Sequence, residues 1–121
     1  MNFEIKTEPL SDHAFVIAIA GEVDLYVAPE LKQQLLAVIE RDATRVVVDL
    51  TDATFVDSTT LGVLISGVRR LRANDGRLSV VINDKNVLRT FELSGLDRVF
   101  EIFATREEAV AWTDGGLRMS A

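Results

Sequence analysis

With 121 residues, 48% of them hydrophobic and 26% charged, the chain has the balance of one globular domain, large enough to bury a core without covalent staples. Nineteen acidic residues against thirteen basic ones give a net charge of −6, which disfavours nucleic acid and anionic membrane surfaces and points to protein partners. The absence of cysteine and the single histidine, His13, exclude disulfides, thiol catalysis, Cys-ligated metals and multi-His metal sites.

The N-terminal MNFEIKTEPL lacks the basic segment and apolar stretch of a secretory signal, and no apolar run approaches the ~20 residues of a membrane span, so the cytoplasm is the expected location. Residues 3–8 (FEIKTE) alternate apolar and polar like a half-buried strand. After a turn with Pro9, Ser11 and Asp12, residues 14–20 (AFVIAIA) form a nearly continuous apolar run, expected as a central strand ended by Gly21. Two strands so closely spaced predict an antiparallel hairpin.

Pro29 suits the first turn of a helix, and Leu31, Leu35, Val38 and Ile39 continue it at helical spacing to near Arg41. Residues 45–50 (RVVVDL) predict a buried strand. Residues 59–73 predict a helix with Leu61, Leu64, Ile65, Val68 and Leu71 inward, stopped by Asn74-Asp75-Gly76. A fourth strand is expected over 77–82 (RLSVVI). Asp84 then caps a helix carrying Val87, Leu88, Phe91 and Leu93, closed by Ser94-Gly95. A short last strand over 99–103 is followed by Thr105 and Glu108, spaced as a capping box, and by Ala109, Val110 and Trp112 on the apolar side of a final helix. Phe91, Phe100, Phe103 and Trp112 read as core, and 114–121 as a flexible tail.

This alternation predicts an α/β domain over 1–113: a mixed, mostly parallel sheet of four to five strands, begun by a hairpin, with about four helices. Within it, FVDSTTLGV (residues 55–63) stands where strand and loop hand over to a helix, the edge at which α/β sheets collect functional groups. Ser58 falls at the N-cap or one residue inside it. A capping hydroxyl accounts for it at about 1 kcal/mol. The outward turns of the helix, read as Gly62, Val63, Ser66 and Gly67, add an oddity, since a surface glycine costs about 1 kcal/mol against alanine. Small residues leave room for another surface, although Gly67 can equally be explained by packing on a neighbouring element. A phosphate on Ser58 would add a charge of about −1.5 to −2, favoured by the helix dipole but disruptive to a docked partner beside Asp57.

Three stretches together resemble the STAS family (sulfate transporter and anti-sigma factor antagonist), particularly its small bacterial anti-anti-sigma factors. They are GEVDLYVAPEL (21–31), VVVDLTDATFVDSTTLGVL (46–64) and LRTFELSGLDRVFEIFATREEAV (88–110), and the resemblance spans about residues 3–112. It implies a non-enzymatic partner switch. The unphosphorylated antagonist binds an anti-sigma factor that is also a serine/threonine kinase, and the sigma factor is released. Phosphorylation at the serine after the signature aspartate, here Ser58, ends the complex, and a serine phosphatase resets it. The implied partner-binding set is Asp24, Asp57, Ser58, Thr59, Thr60, Gly62, Val63 and Ser66, with no metal, no cofactor, no nucleic acid, no membrane, and a monomer in the free state. Thr60 stands where the family pattern has Gly, and a β-branched residue there is expected to restrict close approach and narrow the choice of kinase.

A hydrolase reading is weak. A nucleophilic Ser58 needs a positioned base, and His13 sits in the hairpin turn. Asp24, Asp49, Asp52 and Asp57 are candidates to crowd one edge, but Asp49 can instead cap turn N–H groups and Asp52 suits a turn. No P-loop or dinucleotide fingerprint is present. The stronger rival is a STAS scaffold or accessory subunit of a signalling assembly or lipid-transport ATPase, which would bind its partner whatever the state of Ser58. Arg69, Arg70 and Arg72 suit the C-terminal end of their helix dipole and could also meet an acidic partner.

Overall fold

The sheet is organised around one long strand. In the computed structural model, which describes residues 3–114, β1 (Phe3–Pro9) turns back into β2 (Ala14–Val23), and the two pair antiparallel from Phe3–Gly21 to Pro9–Phe15. The apolar run of β2 is buried because it lies inside the sheet with both faces covered over most of its length. After α1 (Ala28–Glu40), β3 (Arg45–Asp49) pairs parallel with the first half of β2. A tight turn leads into β4 (Ala53–Val56), which pairs parallel with the second half, Gly21–Val23.

Two sequence expectations change here. Gly21 does not end its strand. It takes φ 92°, a left-handed value that suits glycine, and the register shifts between Gly21 and Glu22 as β2 passes from β3 to β4. β4 itself was not expected. Its four residues are too short for a period to show, and its middle pair, Thr54 and Phe55, is exposed.

The chain continues through α2 (Ser58–Ala73), β5 (Arg77–Val81), α3 (Lys85–Leu93), a 3₁₀ turn at Leu96–Arg98, β6 (Glu101–Phe103) and α4 (Arg106–Thr113). The strand order is β1-β2-β3-β5-β6 with β4 beside β2, six strands among the described residues. The helices divide between the faces. On one, α1, α2 and α3 close the main core over Phe15, Ile17, Ile19, Val46, Val48 and Val80, where Phe91 meets Phe100 edge-on at 5.6 Å. Each large side chain fully buried there contributes about 1.5–3 kcal/mol. On the other face α4 covers Val16, Val47, Val81 and Phe103, with half-buried Trp112 packed alongside.

Smaller departures follow from the packing. Ile65 does pack against the main core but is only half-buried, and Leu93, assigned to the apolar face of α3, is 76% exposed at the helix end. The last strand starts at Glu101 because Val99 belongs to the turn that follows the 3₁₀ segment. Of the expected tail only Asp114, the C-cap of α4, lies within the described residues. Among those residues no helix is long and apolar enough to cross a membrane.

Candidate functional site

Pairing of β2 with β4 brings two chain ends together. β2 stops at Val23, and Asp24 begins the loop to α1. Its side chain accepts from the Tyr26 N–H at 2.9 Å, and its carbonyl accepts from Val27 and Ala28. This folds the loop tightly and leaves Leu25 and Tyr26 projecting, 56% and 70% exposed. Beside it β4 stops at Val56, and the Asp57 N–H donates to the Val23 carbonyl at 3.1 Å. Asp24 and Asp57 therefore stand on adjacent strand ends.

Asp57 is the N-cap of α2. Its backbone is extended and its Oδ1 accepts from the Thr60 N–H at 3.0 Å. Ser58 is the next residue, inside the helix. The capping task that would explain a serine here is thus performed by its neighbour. Ser58 and Thr59 are exposed, and neither side chain makes a hydrogen bond among the described residues. Their backbone N–H groups belong to the unsatisfied first turn, where the helix dipole favours negative charge.

Thr60 has a different place. It is fully buried, and its hydroxyl lies 3.1 Å from the Val23 carbonyl and 3.2 Å from Asp57 Oδ1, one proton between two acceptors. It ties the start of α2 to the end of β2. The departure from Gly at this position is accommodated inside the domain. The side chain offers no surface, so Thr60 leaves the candidate partner-binding set, and its β-branch does not obstruct the outer face.

Farther along α2, Gly62 and Ser66 are exposed and Val63 is half-buried. A Cβ at Gly62 would meet nothing within 4 Å, so no contact inside the domain demands a glycine there. Gly67 is the opposite case. It is buried, and a Cβ would stand 3.4 Å from Leu35 Cδ1 of α1, so this glycine serves helix packing and is not outward. Between the two helices runs a groove of about 280 Å³, floored by Leu35, Leu36, Ile39 and Val63 and reaching Thr59 at one end.

The four carboxylates expected to crowd one edge separate into two pairs. Asp24 and Asp57 flank the β2/β4 strand ends. Asp49 and Asp52 line a polar cleft with Glu4, Lys6 and Arg106 on the side of the sheet that α4 covers. Asp49 caps its own turn, accepting from the Thr51 N–H at 2.9 Å and from the Thr51 hydroxyl, and takes a 2.8 Å hydrogen bond from Arg106 Nε. Burial alone would raise its pKa, but the Thr51 donors and the Arg106 guanidinium outweigh it and hold the carboxyl below its ordinary value. His13 is exposed in the hairpin turn before β2, with Nδ1 3.1 Å from the Asp42 carbonyl, whereas Ser58 follows the β4 end that pairs with the far end of β2. Among the described residues no group of three or more His, Cys, Asp or Glu could hold a metal ion.

Sequence reasoning passed over Leu25, Tyr26 and Lys32. The first two carried a signal, a pair of large apolar residues in a loop directly after Asp24. Lys32 carried none, because its place on the groove depends on how α1 meets α2.

The STAS domain family model matches residues 5–109. Anti-sigma-B factor antagonists of Listeria monocytogenes and Staphylococcus aureus are each 31% identical, over 84% of this chain and over 90% and 94% of their own lengths. The crystal structure of an anti-sigma factor antagonist from Mycobacterium paratuberculosis superposes with a TM-score of 0.83 at 28% identity, covering 93% of this chain and 94% of that one. The anti-sigma factor antagonist SpoIIAA in its unphosphorylated form shares the fold, with a TM-score of 0.82 at 24% identity over 94% and 99% of the two chains. Matched over most of its length by the family model and by relatives above 30% identity, the chain belongs to the STAS domain family.

Proposed function

We propose that this chain is an anti-sigma factor antagonist. It binds an anti-sigma factor that is also a serine/threonine kinase, releases the sigma factor, and is switched off by phosphorylation at Ser58. The observation that carries this reading is the division of labour at the start of α2. Asp57 makes the cap, so the adjacent Ser58 hydroxyl is exposed and unengaged at the positive end of a helix. The names of the curated relatives supply the class of partner.

The mechanism follows from charge. Unmodified, the surface around Ser58 is small and close to neutral apart from Asp24 and Asp57, with Leu25 and Tyr26 available as apolar anchors. A phosphoryl group would place about two negative charges beside Asp57. The exposed first turn of α2 can solvate them, so the fold persists, while a partner packed on that turn meets repulsion and an unsatisfied desolvation cost. A phosphatase would restore the hydroxyl. The free antagonist is a monomer in this scheme, and no step is catalysed by its own residues.

The test is capture from the source cytosol with wild type and Ser58→Asp as baits, followed by mass spectrometry of the captured kinase's action on wild type and Ser58→Ala. Wild type is expected to capture an anti-sigma factor kinase that Ser58→Asp does not, with the phosphate mapped to Ser58. Equal capture of one scaffold or transporter subunit by both baits would replace this reading with the scaffold or accessory role.

A further inference from the structure

From the groove between α1 and α2 we infer that the partner's contact extends beyond Ser58, as a short amphipathic helix with acidic flanks seated along this groove. This rests on the anti-sigma antagonist reading and adds the shape and charge of the docking element. The groove's floor is apolar: Leu35, Leu36 and Ile39 from α1 and Val63 from α2. The charged residues on its lining are Lys32 and Arg70, both cationic, in a chain of net charge −6. Neither makes an ion pair or a hydrogen bond among the described residues. By contrast Arg72, on the same helix, is engaged with the Val99 carbonyl at 3.1 Å.

The geometry selects a helix. On α2 the lining runs from Thr59 to Arg70, about 16 Å at the rise of an α-helix, enough for about three turns of an occupant. No strand edge borders the groove, so an extended peptide would find no backbone partners. A helix satisfies its own backbone and can place apolar side chains at i, i+3/i+4 and i+7 on the floor. Gly62 and Ser66 keep the α2 wall low, so such a helix can approach closely. Charge complementarity makes its flanks acidic. The groove is continuous with the Ser58 surface through Thr59 and Gly62, so one partner can cover both. Among the described residues the apolar faces of α1 to α4 already pack on the sheet, so those helices are not available for a second copy to donate.

The test uses the purified anti-sigma factor of the same organism and isothermal titration at low and high salt. The double variant Lys32→Glu/Arg70→Glu changes two exposed side chains and is expected to lose more than tenfold in affinity at low salt and to invert the salt dependence, because screening then relieves a repulsion where in wild type it weakens an attraction. Binding unchanged in the double variant but abolished by Ser58→Asp would overturn the groove while leaving the functional reading standing. No binding by wild type would remove both. A second readout exploits the absence of cysteine. Ser66→Cys carrying a thiol-linked photocrosslinker is expected to label an acidic helical segment of the anti-sigma factor. Labelling of a second copy of this chain, or of a segment that is neither acidic nor helical, would overturn the inference.

Discussion

Two helices of this domain begin in nearly the same way and differ in what surrounds the beginning. α2 and α3 both follow parallel strands, and both are capped by an aspartate in extended conformation. Asp57 accepts from Thr60 N–H, and Asp84 accepts from Asn86 and Val87 N–H at 2.8 and 3.1 Å. In both, the third helical residue is fully buried, Thr60 in one and Val87 in the other. Yet α3 opens with Lys85 and Asn86, and a lysine at a helix N-terminus opposes the dipole. α2 opens with two unengaged hydroxyls and leads into an open groove. Capping chemistry alone therefore does not mark a functional helix start. What sets α2 apart is that its exposed first-turn side chains are uncharged hydroxyls beside a groove, where α3 presents a lysine and an amide.

The comparison can be broken most directly by adding one negative charge at each start. Ser58→Asp is expected to reduce affinity for the anti-sigma factor on the order of 100-fold, since like-charge juxtaposition at an interface costs several kcal/mol. Asn86→Asp, the matching single charge at the exposed start of α3, should leave it within about twofold. Equal losses by titration would mean that the chain responds to net charge and not to the α2 start. Thermal unfolding of Ser58→Asp should stay within about 1 kcal/mol of wild type, so that lost binding is not lost folding.

The buried third positions sharpen the contrast next. Thr60→Gly, which matches the family pattern, should lower stability by about 2 kcal/mol in denaturant titrations, combining a lost hydrogen bond with a glycine in a helix. Binding should persist, because Thr60 presents no surface. A large binding defect without a stability loss would contradict its role as a tie between β2 and α2. The caps come third: Asp57→Ala and Asp84→Ala should each cost about 1 kcal/mol, while only Asp57→Ala disturbs the partner.

The smallest effect concerns a third helix start at the same sheet edge, where Arg106 of α4 reaches Asp49 and Glu8. The guanidinium side chain is 40% exposed, so the Arg106–Asp49 pair contributes no more than about 1 kcal/mol at neutral pH. The folded-state pKa of Asp49 is depressed, so its contribution is present above the unfolded value of about 3.9 and is lost as pH falls through the folded one. Arg106→Gln should raise that folded value and move the acid-unfolding limb toward higher pH. An unmoved limb would show that the Thr51 donors alone hold Asp49 ionised.

Much of this molecule was legible before its coordinates. The hairpin, the helices and the buried strands followed from apolar spacing, Pro29 and the stop at Asn74-Asp75-Gly76, because those signals are local. The family's segment drew attention to 55–63, which the fold sets at the end of β4 and the start of α2. What was not legible depended on distant partners. β4 exists because β2 offers it an edge beyond the reach of β3. Asp57 and Ser58 are both good cap formers, so spacing could not choose between them. Gly62 and Gly67 look alike in sequence, and only the position of Leu35 separates an open glycine from a packed one. The inward turn of Thr60 likewise depends on Val23, which lies 37 residues earlier.

That long-range tie has a kinetic side. Asp57 and Thr60 reach the Val23 carbonyl across 34 and 37 residues of chain, at the point where β4 pairs with the far half of β2. The neighbours of Ser58 are thus held by contacts of high sequence separation, the kind that is entropically slow to form. A kinase that reads the assembled edge would ignore a nascent or misfolded chain, although the serine is present in all of them. The Asp57 amide would then exchange with solvent only through opening of the β2–β4 pair. Exchange of that amide at the rate of a frayed loop would show instead that the serine's surroundings are formed and lost independently of the sheet.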